Sequence, residues 1–194
     1  MAFANKYPGG TELEISMLFV DVRGSTGLAE HMTSADFSQL MNRFYKVATD
    51  VLIRTDAIID KFVGDEVIGL YLPIFTGADH ATPAIVAAQD LLVATGHARG
   101  QKPWLPIGIG VHTGPVFIGT VSGSEDSVTD ITALGDNVNV AARLASMAAP
   151  GEALISETAF TAGGAHFGEL ERRQLELKGR GEPVPARVLR VSAP

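Results

Sequence analysis

Leu13-Glu14-Ile15-Ser16-Met17-Leu18-Phe19-Val20-Asp21 is the stretch from which the fold follows: a nearly continuous apolar run that halts at a carboxylate, as a buried central strand does. Asp21 therefore stands at a strand end. Immediately after it, Gly24-Ser25-Thr26-Gly27 makes a tight bend into a short helix, whose first N–H groups have no partners within the helix. On the other side of the run the chain is loose. Residues 1–11 are expected to form a flexible N-terminal segment, and 12–194 a single domain.

Further along, Phe37, Leu40, Met41, Phe44, Val47, Ala48, Val51 and Leu52 recur at helical spacing and predict a long amphipathic helix over 35–55. Ile58 to Val63 and Val67 to Leu72 read as two strands joined at Gly64-Asp65, a hairpin with Asp65 at its tip. Thr82-Pro83 opens a second helix over 84–98. After it, Ile107, Ile109 and Val111 alternate with Gly108, Gly110 and His112, and Gly114-Pro115 is expected to turn the chain into 116–121 as a second hairpin.

The order β-α-β-β-α-β predicts an α+β fold with a ferredoxin-like core, its helices packed on one face of a mainly antiparallel sheet. The additions that follow are a polar excursion over 122–130, a helix over 136–147, a strand over 153–156, and strands over 169–177 and 187–191 separated by the turn Lys178-Gly179-Arg180-Gly181.

Composition narrows the function. The chain has 194 residues, 46% of them hydrophobic, and a formal net charge of -7, which argues against a broad nucleic-acid or anionic-membrane surface. It has no cysteine, so thiolate zinc and disulfides are excluded, and its five histidines are scattered. No apolar run approaches the roughly 18 residues of a membrane span. A cytoplasmic location is the expectation, for a domain that makes no membrane contact itself even if the full-length protein is larger or membrane-attached.

A sheet that sets their strands side by side would bring Asp21 and Asp65 to one edge, the arrangement hard divalent cations favour. Taken singly, Asp65 reads as a turn residue and Asp21 as a strand terminator. The loop Arg23-Gly24-Ser25-Thr26 could cradle a phosphate with its backbone amides, or simply be N-capped by Ser25 or Thr26. On the helix over 136–147, Asn139 and Arg143 lie four apart on one face while Val138, Ala141, Ala142 and Ala145 can pack. An amide and a guanidinium on so apolar a helix need partners, and a sugar and a phosphate would suit them.

Three blocks, Phe19-Val20-Asp21-Val22-Arg23-Gly24-Ser25-Thr26, Lys61-Phe62-Val63-Gly64-Asp65 and Gly135-Asp136-Asn137-Val138-Asn139-Val140-Ala141-Ala142-Arg143-Leu144, resemble in order the signatures of class III adenylyl and guanylyl cyclases, whose catalytic core is polymerase-palm-like. Leu177-Lys178-Gly179-Arg180 resembles that family's last phosphate-contacting turn. The resemblance implies two divalent metal ions, Mg2+ or Mn2+, on Asp21, Asp65 and the Val22 carbonyl. From a partner chain, Lys61 and Thr132 would read the base, Asn139 would orient the ribose and Arg143 would stabilise charge on the phosphoryl group. Lys178 would contact the outer phosphates. The ribose 3'-hydroxyl would then attack the α-phosphate with loss of pyrophosphate. Because Lys61 and Asp65 share one hairpin yet serve different sites, the arrangement implies a head-to-tail homodimer with two shared sites.

The Lys61 ammonium can only donate, which suits adenine N1 and opposes the guanine N1–H. ATP is therefore the expected substrate and the activity that of an adenylate cyclase. Thr132 stands where many adenylyl cyclases have Asp; it both donates and accepts, so it rejects guanine less firmly. Thr at this position resembles the class IIIb subgroup, some members of which respond to bicarbonate, and bicarbonate as an activator is implied by that resemblance alone. The alternatives are a guanylate cyclase, a diguanylate cyclase, whose paired glycines and final Phe are absent around Val63-Gly64-Asp65-Glu66-Val67, and a catalytically silent nucleotide-binding module, which would have lost a metal Asp or the Arg.

Overall fold

A computed structural model describes residues 10–98, 102–122, 129–178 and 181–191. The apolar run forms β1 (Thr11–Val22), followed by a short helix α1 (Ser25–His31) and the long helix α2 (Ser34–Arg54). The hairpin strands β2 (Ile58–Val63) and β3 (Glu66–Tyr71) come next, then α3 (Pro73–Thr76) and α4 (Ala81–Ala94). Beyond these lie β4 (Ile107–Ser122), β5 (Thr129–Leu134), α5 (Asp136–Met147), β6 (Glu152–Ser156), α6 (Glu157–Gly163), β7 (Glu171–Leu175) and β8 (Val184–Leu189). The sheet runs β2-β3-β1-β4-β6-β8-β7, with β5 pairing β4 beyond the β6 contact. Its first four strands carry the ferredoxin-like order expected from the sequence.

The central part of β1, Ile15 to Val20, is buried and mostly apolar because it is covered on both faces. Leu18, Val20 and Val22 pack with Phe44, Ala48, Val51 and Leu52 of α2 and Ile85, Ala88, Leu91 and Leu92 of α4. Ile15, Met17 and Phe19 face the other way, onto Ala141 and Ala145 of α5. The two long helices thus share one face as expected, but α5 lies on the opposite one, so helices cover both sides of the sheet. α4 begins at Ala81 rather than 84 and stops at Ala94, where Gly96, at φ 91°, lets the His97 amide fold back onto the Leu92 carbonyl.

The expected turn at Gly114-Pro115 is not there. β4 is one continuous strand of 16 residues, paired with β1 from Ile107 to Ile118 in the register Glu14↔Pro115 and Asp21↔Gly108. On its other edge β6 pairs Gly108 to Val111 and β5 pairs Phe117 to Ser122, so Pro115 falls between the two partners, where its missing N–H breaks no ladder. The second hairpin is instead β4 with β5, and the polar excursion that joins them lies outside the described residues over 123–128.

The glycines of β4 have a packing cause. A Cβ on Gly110 would stand 2.4 Å from both the Ala141 carbonyl oxygen and the Ala145 amide nitrogen. Helix α5 therefore rests with its backbone almost on the strand, which only glycine allows. The far side of α5, with Val140, Leu144 and Ala148, packs on Leu154, Leu175, Ala186 and Val188.

Charge closes the end of the sheet beside these residues. The buried Glu152 carboxylate accepts from Arg173 at 3.0 and 3.2 Å and from Arg190. Burial alone would raise its pKa, but the hydrogen bonds from Arg173, Arg190 and the Ala149 amide outweigh it and hold the group down to about 2.

Two consequences are measurable. A carboxyl whose pKa lies below its unfolded value of 4.5 contributes stability that is complete above that value and is lost as pH falls toward 2. Glu152→Gln should cost on the order of 2 kcal/mol at pH 7. It should also flatten the fall in melting temperature between pH 5 and pH 3 that the parent protein shows. Gly110→Ala should cost at least roughly 1 to 3 kcal/mol in denaturant unfolding, because the added methyl meets backbone that cannot step aside.

Candidate functional site

The antiparallel β1–β3 pair sets Asp21 opposite Glu66, and the Val22 amide donates to the Asp65 carbonyl at 3.2 Å. Strand pairing alone therefore brings the two strand-distant aspartates to one edge of the sheet. The hairpin tip between them is pinned from behind: the Tyr45 hydroxyl donates to the Gly64 carbonyl, and the Tyr45 ring meets Phe62 edge-on at 5.1 Å. Neither Tyr45 nor Glu66 stood out in the sequence. Tyr45 adjoins the apolar stripe of α2, and Glu66 gains its meaning only from its register opposite Asp21.

Three acids crowd this edge. Desolvation raises the Asp21 pKa and the Asp65 charge adds to the rise, while Arg23 opposes it. Glu66 is raised by desolvation and then by Asp21 and Asp65. A site that disfavours its own negative charges has a use for a cation, and the donors are all hard oxygens of the kind Mg2+ or Mn2+ takes. Among the described residues, no group of three or more acidic, His or Cys side chains is arranged to enclose an ion. Asp21 and Asp65 fit a divalent cation that fills the rest of its shell from phosphate oxygens and water.

The loop after Asp21 departs from an ordinary capped helix start. Gly24 occupies the N-cap position at φ 71°, and no side chain caps α1. Ser25 is not a cap: its hydroxyl donates to Asp65 Oδ2, tying the loop to the hairpin tip. The first amides of α1 are left without a side-chain acceptor, as a phosphate cradle requires. A cavity of about 630 Å3 opens beside this loop, lined by Ser25, Thr26, Phe37, Met41, Tyr45 and Asp65. Arg23 does not point its side chain into the loop. Its guanidinium bonds Asp21 at 2.8 Å and the Ala145 and Ser146 carbonyls of α5 at 2.8 Å each.

The other sequence-predicted residues lie apart from the aspartates. Asn139 is exposed and Arg143 partly so, on the flank of α5 that neither core cluster covers. Among the described residues, no hydrogen bond or ion pair links either of them to Asp21 or Asp65. Lys61 follows a bulge in β2 that sets Asp60 out of register, and its ammonium lies 3.4 Å from the Asp60 carboxylate. Thr132 pairs Gly119 on β5, and β3, β1 and β4 separate it from Lys61 in the sheet order. Lys178 is exposed just after β7, whereas Gly179 and Arg180 lie outside the described residues. At the base of α5, Asn137 Oδ1 accepts from His112 Nε2 at 2.9 Å, and its amide nitrogen donates to the Pro115 carbonyl at 2.7 Å.

Comparison with known proteins bears on this arrangement. The sequence profile of the adenylate and guanylate cyclase catalytic domain matches residues 10–186. Over 189 residues the chain is 33% identical to the uncharacterized protein Rv1318c of Mycobacterium tuberculosis, an alignment covering 91% of this chain and 32% of that protein. It is 31% identical over 136 residues to an adenylate cyclase of Anabaena cylindrica, covering 67% of this chain and 26% of that one. The chain thus spans a third or less of the length of these relatives.

Among solved structures, the guanylyl cyclase Cya2 superposes with a TM-score of 0.83 at 29% identity, covering 96% of both chains. The adenylyl cyclase CyaB of P. aeruginosa superposes with a TM-score of 0.78 at 27% identity, covering 93% of this chain and 95% of that one. On a profile match that runs through all three signature blocks and a fold shared almost end to end with solved cyclases, this chain belongs to the adenylate and guanylate cyclase catalytic domain family, the class III nucleotidyl cyclases.

Proposed function

We propose that this domain is an adenylate cyclase that converts ATP to 3',5'-cyclic AMP and pyrophosphate in sites shared by two copies of the chain. The observation that carries the reading is the division of the residues within one chain. Asp21 and Asp65 meet at a sheet edge, while the exposed Asn139 and half-buried Arg143 stand on α5 with no acidic partner among the described residues of their own chain. A second copy arranged head to tail supplies each half with what it lacks. Phe117 and Leu134, opposite each other in register on β4 and β5, are 43% and 53% exposed and offer apolar surface to such a partner.

Within that site, two divalent cations held by Asp21, Asp65 and the Val22 carbonyl would supply Lewis-acid activation of the ribose 3'-hydroxyl and charge neutralisation at the leaving pyrophosphate. The chain's own groups do the rest. The amides of Gly24 to Thr26 hold the phosphates against α1. Asn139 of the partner orients the ribose so that its 3'-oxygen lies in line with the bond to the leaving group. Arg143 of the partner places a bidentate guanidinium where charge grows on the α-phosphoryl oxygens, and Lys178 meets the outer phosphates.

Base choice rests on Lys61 and Thr132. The bulge at Asp60 aims Lys61, and its ammonium offers adenine N1 a donor that guanine N1–H repels. Thr132 takes a hydrogen of the adenine amino group and excludes guanine only weakly. Bicarbonate activation remains an implication of the Thr132 subgroup alone.

Purified protein incubated with Mn2+ and either nucleotide should yield cyclic AMP from ATP well above cyclic GMP from GTP. Cyclic GMP as the main product would make the domain a guanylate cyclase, and no product from either would make it a silent module. Asp21→Ala and Arg143→Ala should each reduce turnover by at least roughly a hundred-fold. Mixing the two should restore about a quarter of wild-type activity, since half of the dimers are then mixed and each holds one intact site of two. Lys61→Glu, which turns a donor into an acceptor, should lower ATP turnover at least about ten-fold and raise the GTP-to-ATP ratio of kcat/KM.

A further inference from the structure

We propose that Arg23 is a positioning residue that ties cation binding at one active site to the helix serving the other. The proposal rests on the shared-site reading above. A single planar group here joins two elements: the guanidinium reaches Asp21 Oδ2 at 2.8 Å, the Ala145 carbonyl at 2.8 Å and the Ser146 carbonyl at 2.8 Å. Asp21 is the penultimate residue of β1 and would hold the cation, whereas Ala145 and Ser146 belong to the last turn of α5. Carbonyls in that turn sit at the negative end of the helix dipole, the Ala145 one accepting also from the Ala148 amide at 3.2 Å, so a cation is well placed there. Six residues back along α5, roughly 9 Å by helical rise, is Asn139, with Arg143 between them.

The passage for this side chain is built into β4. Gly108 lies opposite Asp21 in register, and a Cβ there would come within 2.9 Å of Arg23 Nε and 2.8 Å of the Ala148 carbonyl. Among the described residues, the side-chain hydrogen bonds of Arg23 go through its two terminal nitrogens to Asp21 and α5. The backbone of Arg23 is anchored as well, its amide donating to the Pro106 carbonyl at 2.9 Å.

The consequence is a competition. A divalent cation and the guanidinium want the same carboxylate, so cation binding draws Asp21 away and leaves Arg23 holding α5 alone. Because α5 acts in the partner's site, filling one site alters how firmly Asn139 and Arg143 are held in the other. Removing the guanidinium should therefore do two opposite things: strengthen cation binding by relieving the competition, and weaken turnover by loosening α5.

Mn2+ binding to the Arg23→Gln dimer, read by electron paramagnetic resonance with 3'-deoxy-ATP, which cannot cyclise, should half-saturate at roughly two- to five-fold lower Mn2+. Turnover of ATP by the same protein should fall roughly ten- to hundred-fold. Arg23→Lys should return Mn2+ binding toward the parent value without restoring turnover, since one ammonium cannot span three acceptors. Mn2+ binding that is unchanged or weaker in Arg23→Gln, or turnover equal to the parent's, overturns the proposal.

Mixed dimers separate the two effects. A dimer of an Arg143→Ala chain with an Asp21→Ala chain keeps one site, with cation ligands from the first chain and α5 from the second. Arg23→Gln added to the first chain should lower the Mn2+ half-saturation, and added to the second it should lower turnover. The same effect from both placements overturns the coupling. A parent mixed dimer that assembles but makes no product overturns the shared-site reading and the coupling with it.

Discussion

The place of β1 between β3 and β4 is the constraint on which the rest of the molecule depends. Antiparallel pairing on one side sets Asp21 against Glu66 and brings Asp65 into backbone contact with Val22. Pairing on the other side sets the same Asp21 against Gly108, the position through which Arg23 reaches α5. A slip of one residue in either ladder would send Asp21 to the opposite face and dismantle both arrangements. The long apolar register of β1, buried against helices on both faces, makes such a slip costly.

From this strand follows an unusual economy of side chains at the site. The Asp65 charge raises Asp21 and both raise Glu66, and the groups that satisfy the aspartates come from the segment after β1: Arg23 for Asp21, Ser25 for Asp65. The hairpin tip is held by Tyr45 rather than by its own turn residues, so α2 supports the site without touching the chemistry. The backbone of α5, meanwhile, lies almost against β4 because Gly110 lets it, which leaves the Asn139 and Arg143 flank uncovered.

That uncovered flank gives the dimer reading its physical content. In that reading the exposed Asn139 and half-buried Arg143, on a helix otherwise packed on two sides, complete a carboxylate edge that they do not reach within the described residues of their own chain. Two half-sites of complementary chemistry are what a two-fold assembly would complete. Arg23 touches both Asp21 and the last turn of α5, which in that reading links the two halves within a chain.

Much of this was legible in the sequence, for reasons particular to its residues. The nearly continuous apolarity of Leu13 to Val20 suits a strand covered on both faces, the spacing through α2 a one-sided helix, and Gly64-Asp65 between two β-rich runs a hairpin, so the core order and the Asp21–Asp65 edge followed from local patterns. Local patterns misled at Gly114-Pro115, where glycine and proline marked not a turn but a change of partner along one strand, a fact set by β5 and β6. They were silent on Tyr45, Glu66 and the side chain of Arg23, whose roles come from contacts across 19, 45 and 122 residues of chain. The sequence by itself determined the elements, the core and the chemical character of the site, because periodicity and residue type are local properties. Only the tertiary structure decided which residues meet, since register and close helix approach belong to pairs of distant segments and are set when those segments pack.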